Sequence, residues 1–360
     1  MVLGLGWGLP RQTGGAVAVR STMEPTLDIP PAWDWSADQI VQHRWRKILV
    51  LGDVDRGKST YCRFLIRRCL ESGQRVAVVD TDVGQKDIGP PATLTLGYPE
   101  VAQALAEVPP VAWYFLGATS PAGHLLPMIV GVRQLLDAAR AAYIIINTTG
   151  FVTGPGRVLK GYKIEAVRPD VIVVLEHGRE LRTLLQAYRH YRILRLPASA
   201  YATPKSFEQR RATRERAFGT YFATASTVEL ALRQVIFQRA LLFTGRKLEQ
   251  KDFLYAEHTA EGILAIAAEE QADTPSVRTD TPSVRVLPVG FERHLLCGVA
   301  NRRNEGVGLA LIMYIDFARE TITLHTPVPA AQIKVVQFGT LYVQADGREL
   351  GYHVPRGLFA

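Results

Sequence analysis

Short, continuously apolar runs alternate with longer amphipathic stretches through the first half of the chain. Residues 47–51 (KILVL), 75–80 (RVAVVD), 111–116 (VAWYFL), 142–147 (AYIIIN) and 171–175 (VIVVL) lack polar alternation. That is the pattern of strands buried on both faces. Between them, residues 58–72 read as a helix closed by Gly73, and 125–142 place Leu125, Ile129, Val132, Leu135 and Leu136 on one helical face. Strands alternating with helices predict an α/β fold: a parallel sheet with helices on both faces. The texture changes after residue 200. Residues 206–222 read as a charged helix and 228–242 as an apolar helix. Beyond Gly245 come short strands such as 308–315 and 321–324. The expected organisation is an extended or disordered tail at 1–30, an α/β domain at 31–245 and a small β-rich module at 246–360. Trp33 and Trp35 are expected to pack the start of the α/β domain onto its sheet. The seven-residue unit DTPSVRT (273–279) recurs as DTPSVRV (280–286). Two Pro-containing copies are too few for a solenoid and read as a duplication in an exposed loop.

Composition narrows the class. With 360 residues, 47% of them hydrophobic, the chain has the apolar material for a core and room for about two domains at roughly 100–200 residues each. A net charge of +8 is compatible with a polyanionic partner without requiring one. Cys62, Cys69 and Cys297 form no CxxC and have no His at ligand spacing. A disulfide framework or zinc site is therefore not expected, and a reducing, cytoplasmic setting is. No apolar run reaches the roughly 18 residues of a spanning helix, so no membrane partner is expected. The apolar start at 1–9 has no basic residues before it and is broken by Pro10, which reads as a tail and not as a signal peptide.

The chemistry starts at residue 52. Gly52-Asp53-Val54-Asp55-Arg56-Gly57-Lys58-Ser59 fits G-x-x-x-x-G-K-[ST], after a buried strand and before a helix. Gly52 and Gly57 allow backbone N–H groups to wrap a phosphate without Cβ clashes, and the helix N-terminus adds positive potential. Lys58 is placed to reach the β/γ oxygens, and the Ser59 hydroxyl to ligate Mg²⁺.

The chemistry also needs a carboxylate, and the strand at 142–147 does not supply one, because it ends in Asn147. The strand at 75–80 does: Asp80 and Asp82 stand two apart, facing the same way on an extended segment. Either could hold Mg²⁺ through water while the other takes a proton from a hydroxyl substrate. A switch GTPase would show D-x-x-G and N-K-x-D motifs, and neither is present.

Four ordered blocks, GDVDRGKST (52–60), DTDVGQKDIGPP (80–91), NTTGFVTGPG (147–156) and KSFEQRRATRERAFGTYF (205–222), resemble the polynucleotide 5′-hydroxyl kinase family. A weaker similarity runs from 294 to 343. The resemblance covers about 30–345 and implies ATP, or another NTP, with Mg²⁺, acting on 5′-OH ends of RNA or DNA. By resemblance, Lys58, Ser59 and Thr60 grip the nucleotide and metal, and Asp55 matches an acidic position inside the loop. Asp80 and Asp82 resemble the metal-water ligand and the base, and Gln85 a residue near the metal or substrate. Thr149-Gly150-Phe151 resembles a clasp for the terminal nucleotide, where many members carry Trp in place of Phe151. Base–aromatic stacking at such a position contributes about 1–3 kcal/mol. Larger members carry an N-terminal β-sandwich, and the compact microbial form is the expected comparison.

In the fourth block Lys205, Arg210, Arg211, Arg214 and Arg216 outweigh Glu208 and Glu215. Arg210 and Arg214 share a helix face, with Arg211 close by. Such a helix can deliver Arg210 or Arg214 as transition-state charge, place Arg211 on substrate and exclude water. A second cluster, Arg179, Arg182, Arg189, Arg192 and Arg195, reads first as surface and second as a nucleic-acid track. The expected reaction is γ-phosphoryl transfer to a polynucleotide 5′-hydroxyl. The alternatives are an NTPase without a nucleic-acid acceptor and a nucleotide-binding scaffold in an RNA-processing complex.

Overall fold

The structure is a computed structural model that describes residues 29–101, 103–199, 203–249, 252–268 and 284–353, with Pro355 and Leu358. All but the last two residues of the expected tail, and most of the heptad duplication, lie outside these residues.

Helix α1 (Pro31–Gln42) leads into β1 (Lys47–Gly52), α2 (Lys58–Glu71) and β2 (Val76–Thr81). Strands β3 (Thr93–Gly97) and β4 (Ala112–Phe115) follow, then α3 (Leu125–Ala138) and β5 (Tyr143–Thr148). Helix α4 (Pro155–Val167), β6 (Val171–Glu176), α5 (Arg182–Ala187) and β7 (Ile193–Pro197) complete this half. Strands β2-β5-β1-β6-β7 lie parallel in that order. Strands β1, β2, β5 and β6 are buried on both faces, as their continuous apolar runs require, while the edge strand β7 is only partly buried. One side of the sheet packs on α1 and α2 through Trp33, Ile40, Tyr61 and Leu65. The other packs on α3 and α4 through Val132, Leu135, Leu159 and Ile164. Trp33 is fully buried, with its indole N–H on the Pro197 carbonyl at 3.1 Å. Trp35 is 52% exposed, which corrects the expectation that both tryptophans pack the sheet.

The sheet then departs from the simple parallel expectation. Strand β3 runs antiparallel to β2, and β4 antiparallel to β3. After the basic helix α6 (Phe207–Phe222), the segment expected as an apolar helix at 228–242 is strand β8 (Ser226–Ala231), a 3₁₀ turn, and β9 (Ile236–Gln238). The physical reason lies in the partners. Six residues of β8 pair with the later segment Thr321–Thr326, and β9 lies parallel to Val335–Val343, so sheet pairing overrides an apolar run whose period is ambiguous.

The rest is β structure: β10 (Arg246–Lys247), β11 (Phe253–Thr259), β12 (Gly262–Ala267), β13 (Val284–Leu287), β14 (Leu295–Ala300), β15 (Gly306–Asp316), β16 (Thr321–Thr326), β17 (Val335–Val343) and β18 (Glu349–Gly351). Strands β10 to β13 form a small separate sheet. Strands β14 to β18 join the main sheet at β4, where Gly306 pairs with Trp113. Helix α6 lies across this half, burying Phe218 and Phe222 against Leu309, Leu311 and Leu341.

Candidate active site

Parallel strands all end on one edge, and the chemistry-bearing residues collect there because β1, β2 and β5 are neighbours. The loop after β1 turns through Gly57, whose φ of +75° suits glycine, and opens α2 at Lys58. Lys58 is buried, and its amine donates to the Asp53 carbonyl at 2.6 Å. Burial lowers its pKa, opposed chiefly by Asp82 and Asp53.

Asp80, at the end of β2, is fully buried. Its Oδ1 accepts from the Asp82 N–H at 3.1 Å, and its Oδ2 from the N–H groups of Asp87 and Ile88 at 2.8 and 3.2 Å. The buried amine of Lys86 forms an ion pair with it at 3.1 Å. Burial pushes the carboxyl up and the amine down, and each charge partly offsets the other's shift. Asp82 is only partly buried. Its Oδ1 accepts from the N–H groups of Gly84 and Gln85 at 3.1 and 3.0 Å. Its Oδ2 has no hydrogen-bond partner among the described residues. The two carboxylates thus have different settings, one enclosed and saturated, the other with an oxygen to offer.

Asn147, near the end of β5, faces the start of α2, the end of β2 and the loop after it. Its Nδ2 lies 3.4 Å from Ser59 Oγ, 3.5 Å from Asp80 Oδ1 and 3.5 Å from Asp87 Oδ2, while its buried Oδ1 has no partner. Hydroxyl, amide and carboxylate oxygens at one point are the hard donors that suit Mg²⁺. Among the described residues no three His, Cys, Asp or Glu side chains form a cage. Mg²⁺ in phosphoryl-transfer sites commonly takes one or two carboxylates with substrate phosphates and water, so this donor set fits it.

Thr149-Gly150-Phe151 follows β5 and meets the phosphate loop. A methyl group placed on Gly150 would lie 2.6 Å from the Val54 backbone, so only glycine permits this approach. Phe151 is half-buried against the core.

Helix α6 is docked on the loop at its first turn. Ser206 and Gln209 form a capping box. Asp55 accepts from the Lys205 N–H at 3.1 Å and pairs with Arg210 at 2.5 Å. Gln85 Nε2 donates to the Arg210 carbonyl at 3.3 Å, bridging the acidic segment and this helix. Arg214 is turned elsewhere: both its Nε and Nη2 bind Glu349, at 2.6 and 2.8 Å. Arg211 binds Glu215 and the Glu349 carbonyl. The structure therefore brings Lys58, Ser59, Asp80, Asp82, Gln85, Asp55 and Arg210 together, and engages Arg211 and Arg214 with β18. In the second arginine cluster, Arg195 pairs with Glu176 and Arg192 lies over Trp45.

Sequence reasoning missed Lys86, Asp87, Lys160 and Lys163. The last two are fully buried on α4. Lys160 donates to the Thr149 carbonyl at 2.5 Å and Oγ1 at 3.2 Å, and Lys163 to Thr81 Oγ1 at 2.8 Å. Their signal was position: they fall on the same helical face as Gly156, Leu159, Ile164 and Val167.

Among the described residues no helix is long and apolar enough to cross a membrane. Residues 52–224 match the family profile described as mRNA cleavage and polyadenylation factor CLP1 P-loop. The chain is 32% identical over 341 residues to a polyribonucleotide 5′-hydroxyl-kinase of Pyrococcus furiosus, covering 91% of this chain and 96% of that one. A polyribonucleotide 5′-hydroxyl-kinase of Methanocaldococcus jannaschii is 33% identical over 323 residues, covering 85% and 89%. The Xenopus laevis polyribonucleotide 5′-hydroxyl-kinase Clp1 is 27% identical, covering 81% and 69%. Among solved structures, the wild-type Clp1p–Pcf11p complex aligns with a TM-score of 0.58 at 12% identity, over 86% of this chain and 78% of that one, a likeness of fold.

Proposed function

The chain belongs to the polyribonucleotide 5′-hydroxyl-kinase family, and on that premise we propose that it transfers the γ-phosphate of ATP to the 5′-hydroxyl of an RNA end with Mg²⁺ bound. The observation that carries this reading is the different setting of Asp80 and Asp82 beside Lys58 and Ser59.

In the proposed division of work, the loop from Gly52 to Thr60 cradles the polyphosphate, and Lys58 leaves the Asp53 carbonyl for its oxygens. Ser59, Asp87 and, through water, Asp80 would hold Mg²⁺, which would supply charge neutralisation for the phosphates. Asp82, with its free Oδ2, accepts the proton of the attacking hydroxyl. Phe151 holds the terminal nucleotide by stacking. Arg210 exchanges Asp55 for the transferring phosphoryl group, and α6 excludes water from the reaction. Arg214 anchors the helix to β18 through Glu349. A cytoplasmic setting fits three buried free thiols, Cys62, Cys69 and Cys297.

The test is transfer of labelled γ-phosphate to matched 5′-OH RNA and DNA oligonucleotides. Transfer is expected for the intact chain. Lys58→Ala is expected to lose at least about a hundredfold of it with circular dichroism unchanged, because transition-state charge goes and little core packing does. Oligonucleotide-independent ATP hydrolysis as fast as transfer would favour an NTPase without an acceptor.

A further inference from the structure

Lys160 and Lys163 are unlike the site's other cations. Lys58 faces the phosphate loop, and Lys86 has Asp80 as its ion-pair partner. The two α4 amines are as buried as Lys86, yet their hydrogen bonds go to threonines. A buried ammonium is among the most costly groups to enclose, and a leucine or methionine would fill the same space at lower cost. Packing alone therefore does not account for two of them one turn apart.

Their acceptors do. The Thr149 carbonyl held by Lys160 belongs to the peptide that leads into Gly150, which abuts Val54 of the phosphate loop. Thr81, held by Lys163, immediately follows Asp80 and precedes Asp82, and its hydroxyl donates to the Asn147 carbonyl at 2.6 Å. Each amine thus grips the end of a different strand, one bearing the clasp and the other the acidic pair. Because both sit on one rigid helix, the spacing of those ends is set by α4.

We propose that Lys160 and Lys163 are a positioning pair, in which α4 holds Thr149-Gly150-Phe151 at one fixed distance from Asp80-Thr81-Asp82, so that a polynucleotide end on the clasp meets the carboxylate that activates it. This rests on the reading that the RNA end lies between Phe151 and Asp82. Correct placement of reacting groups is a large part of phosphoryl-transfer catalysis, so a small displacement is costly in rate.

The experiment uses the full chain, with ATP and a 5′-OH RNA oligonucleotide varied separately and melting temperature recorded. Lys160→Met is expected to raise the oligonucleotide KM about tenfold and leave the ATP KM within about twofold. Lys163→Met is expected to lower kcat about tenfold with both KM values nearly unchanged. Lys160→Gln, which keeps a donor, should fall between wild type and Met; it carries the same test if the Met variant does not fold. Both KM values moving together, losses that merely follow melting temperature, or Gln and Met variants equally impaired would overturn the pair's role. A wild-type chain that transfers while both Met variants match it would overturn this inference alone. A wild-type chain that transfers nothing to the oligonucleotide would overturn the functional reading beneath it.

Discussion

At the scale of the residue, environment separates groups that the sequence leaves equivalent. Asp80 and Asp82 are the same residue type two positions apart, and spacing alone does not assign their roles, because burial is not written in the motif. Asp80→Asn removes the charge opposite buried Lys86, and breaking a buried pair costs about 3–5 kcal/mol. Chemical denaturation should show a loss of that order. Asp82→Asn should leave stability within about 1 kcal/mol and lower kcat by at least about a hundredfold, as loss of a general base does. Equal destabilisation by both variants would refute this division. Lys163 gives a second residue-scale test. Burial lowers its amine to about 7, with Asp82 and Asp80 opposing and Lys86 reinforcing. From about pH 7 up to the ordinary lysine value near 10.5, the unfolded chain carries a proton there that the folded chain lacks, so this group's contribution to stability rises with pH. Below about 7 both states are protonated and the penalty is constant. Lys163→Met lacks this dependence. Its stability relative to wild type should therefore be highest below pH 7 and fall as pH rises, read from urea midpoints at pH 6, 8 and 9.5.

At the scale of the element, α6 has two ends with different attachments. Its first turn is on the phosphate loop through Asp55, and its middle is on β18 through Glu349. Arg210→Ala should lower kcat by at least about tenfold, and saturating oligonucleotide should not restore it. Arg214→Lys and Glu349→Gln break one bidentate pair, so a double-mutant cycle in melting stability should find them non-additive. Additive effects would show that the pair does not act as a unit. The site's elements were legible where a run was long or a motif dense. Buried parallel strands read clearly because no polar alternation interrupts them, and the phosphate loop carries its own glycines. Residues 226–238 were not legible, because whether a short apolar run becomes strand or helix is decided by partners far along the chain. Lys160 and Lys163 were hidden for a related reason: residues 155–167 were not read as a helix, so their position on its inner face could not be seen.

At the scale of the whole molecule, the α/β half and the β-rich half are one sheet joined where Gly306 meets Trp113. A methyl group at Gly306 would lie 2.9 Å from the Trp113 carbonyl oxygen and 3.1 Å from its Cβ. Gly306→Val should therefore force the strands apart, with an overpacking cost of about 1–3 kcal/mol. Differential scanning calorimetry should show the main transition lowered or divided, and an unchanged profile would mean that the joint carries no load. The same joint has a consequence for how the polypeptide is made. On a ribosome, β1 to β7 emerge first and can assemble through their own helices, but β4 then stands as an open edge. On its outer side Trp113 stays without its partner Gly306 until β15 has been translated, after most of the second half of the chain. An uncovered edge is the surface on which nascent chains pair wrongly with one another. Slow translation between these strands would lengthen that exposure, so the yield of native protein should depend on the speed at which the second half is synthesised.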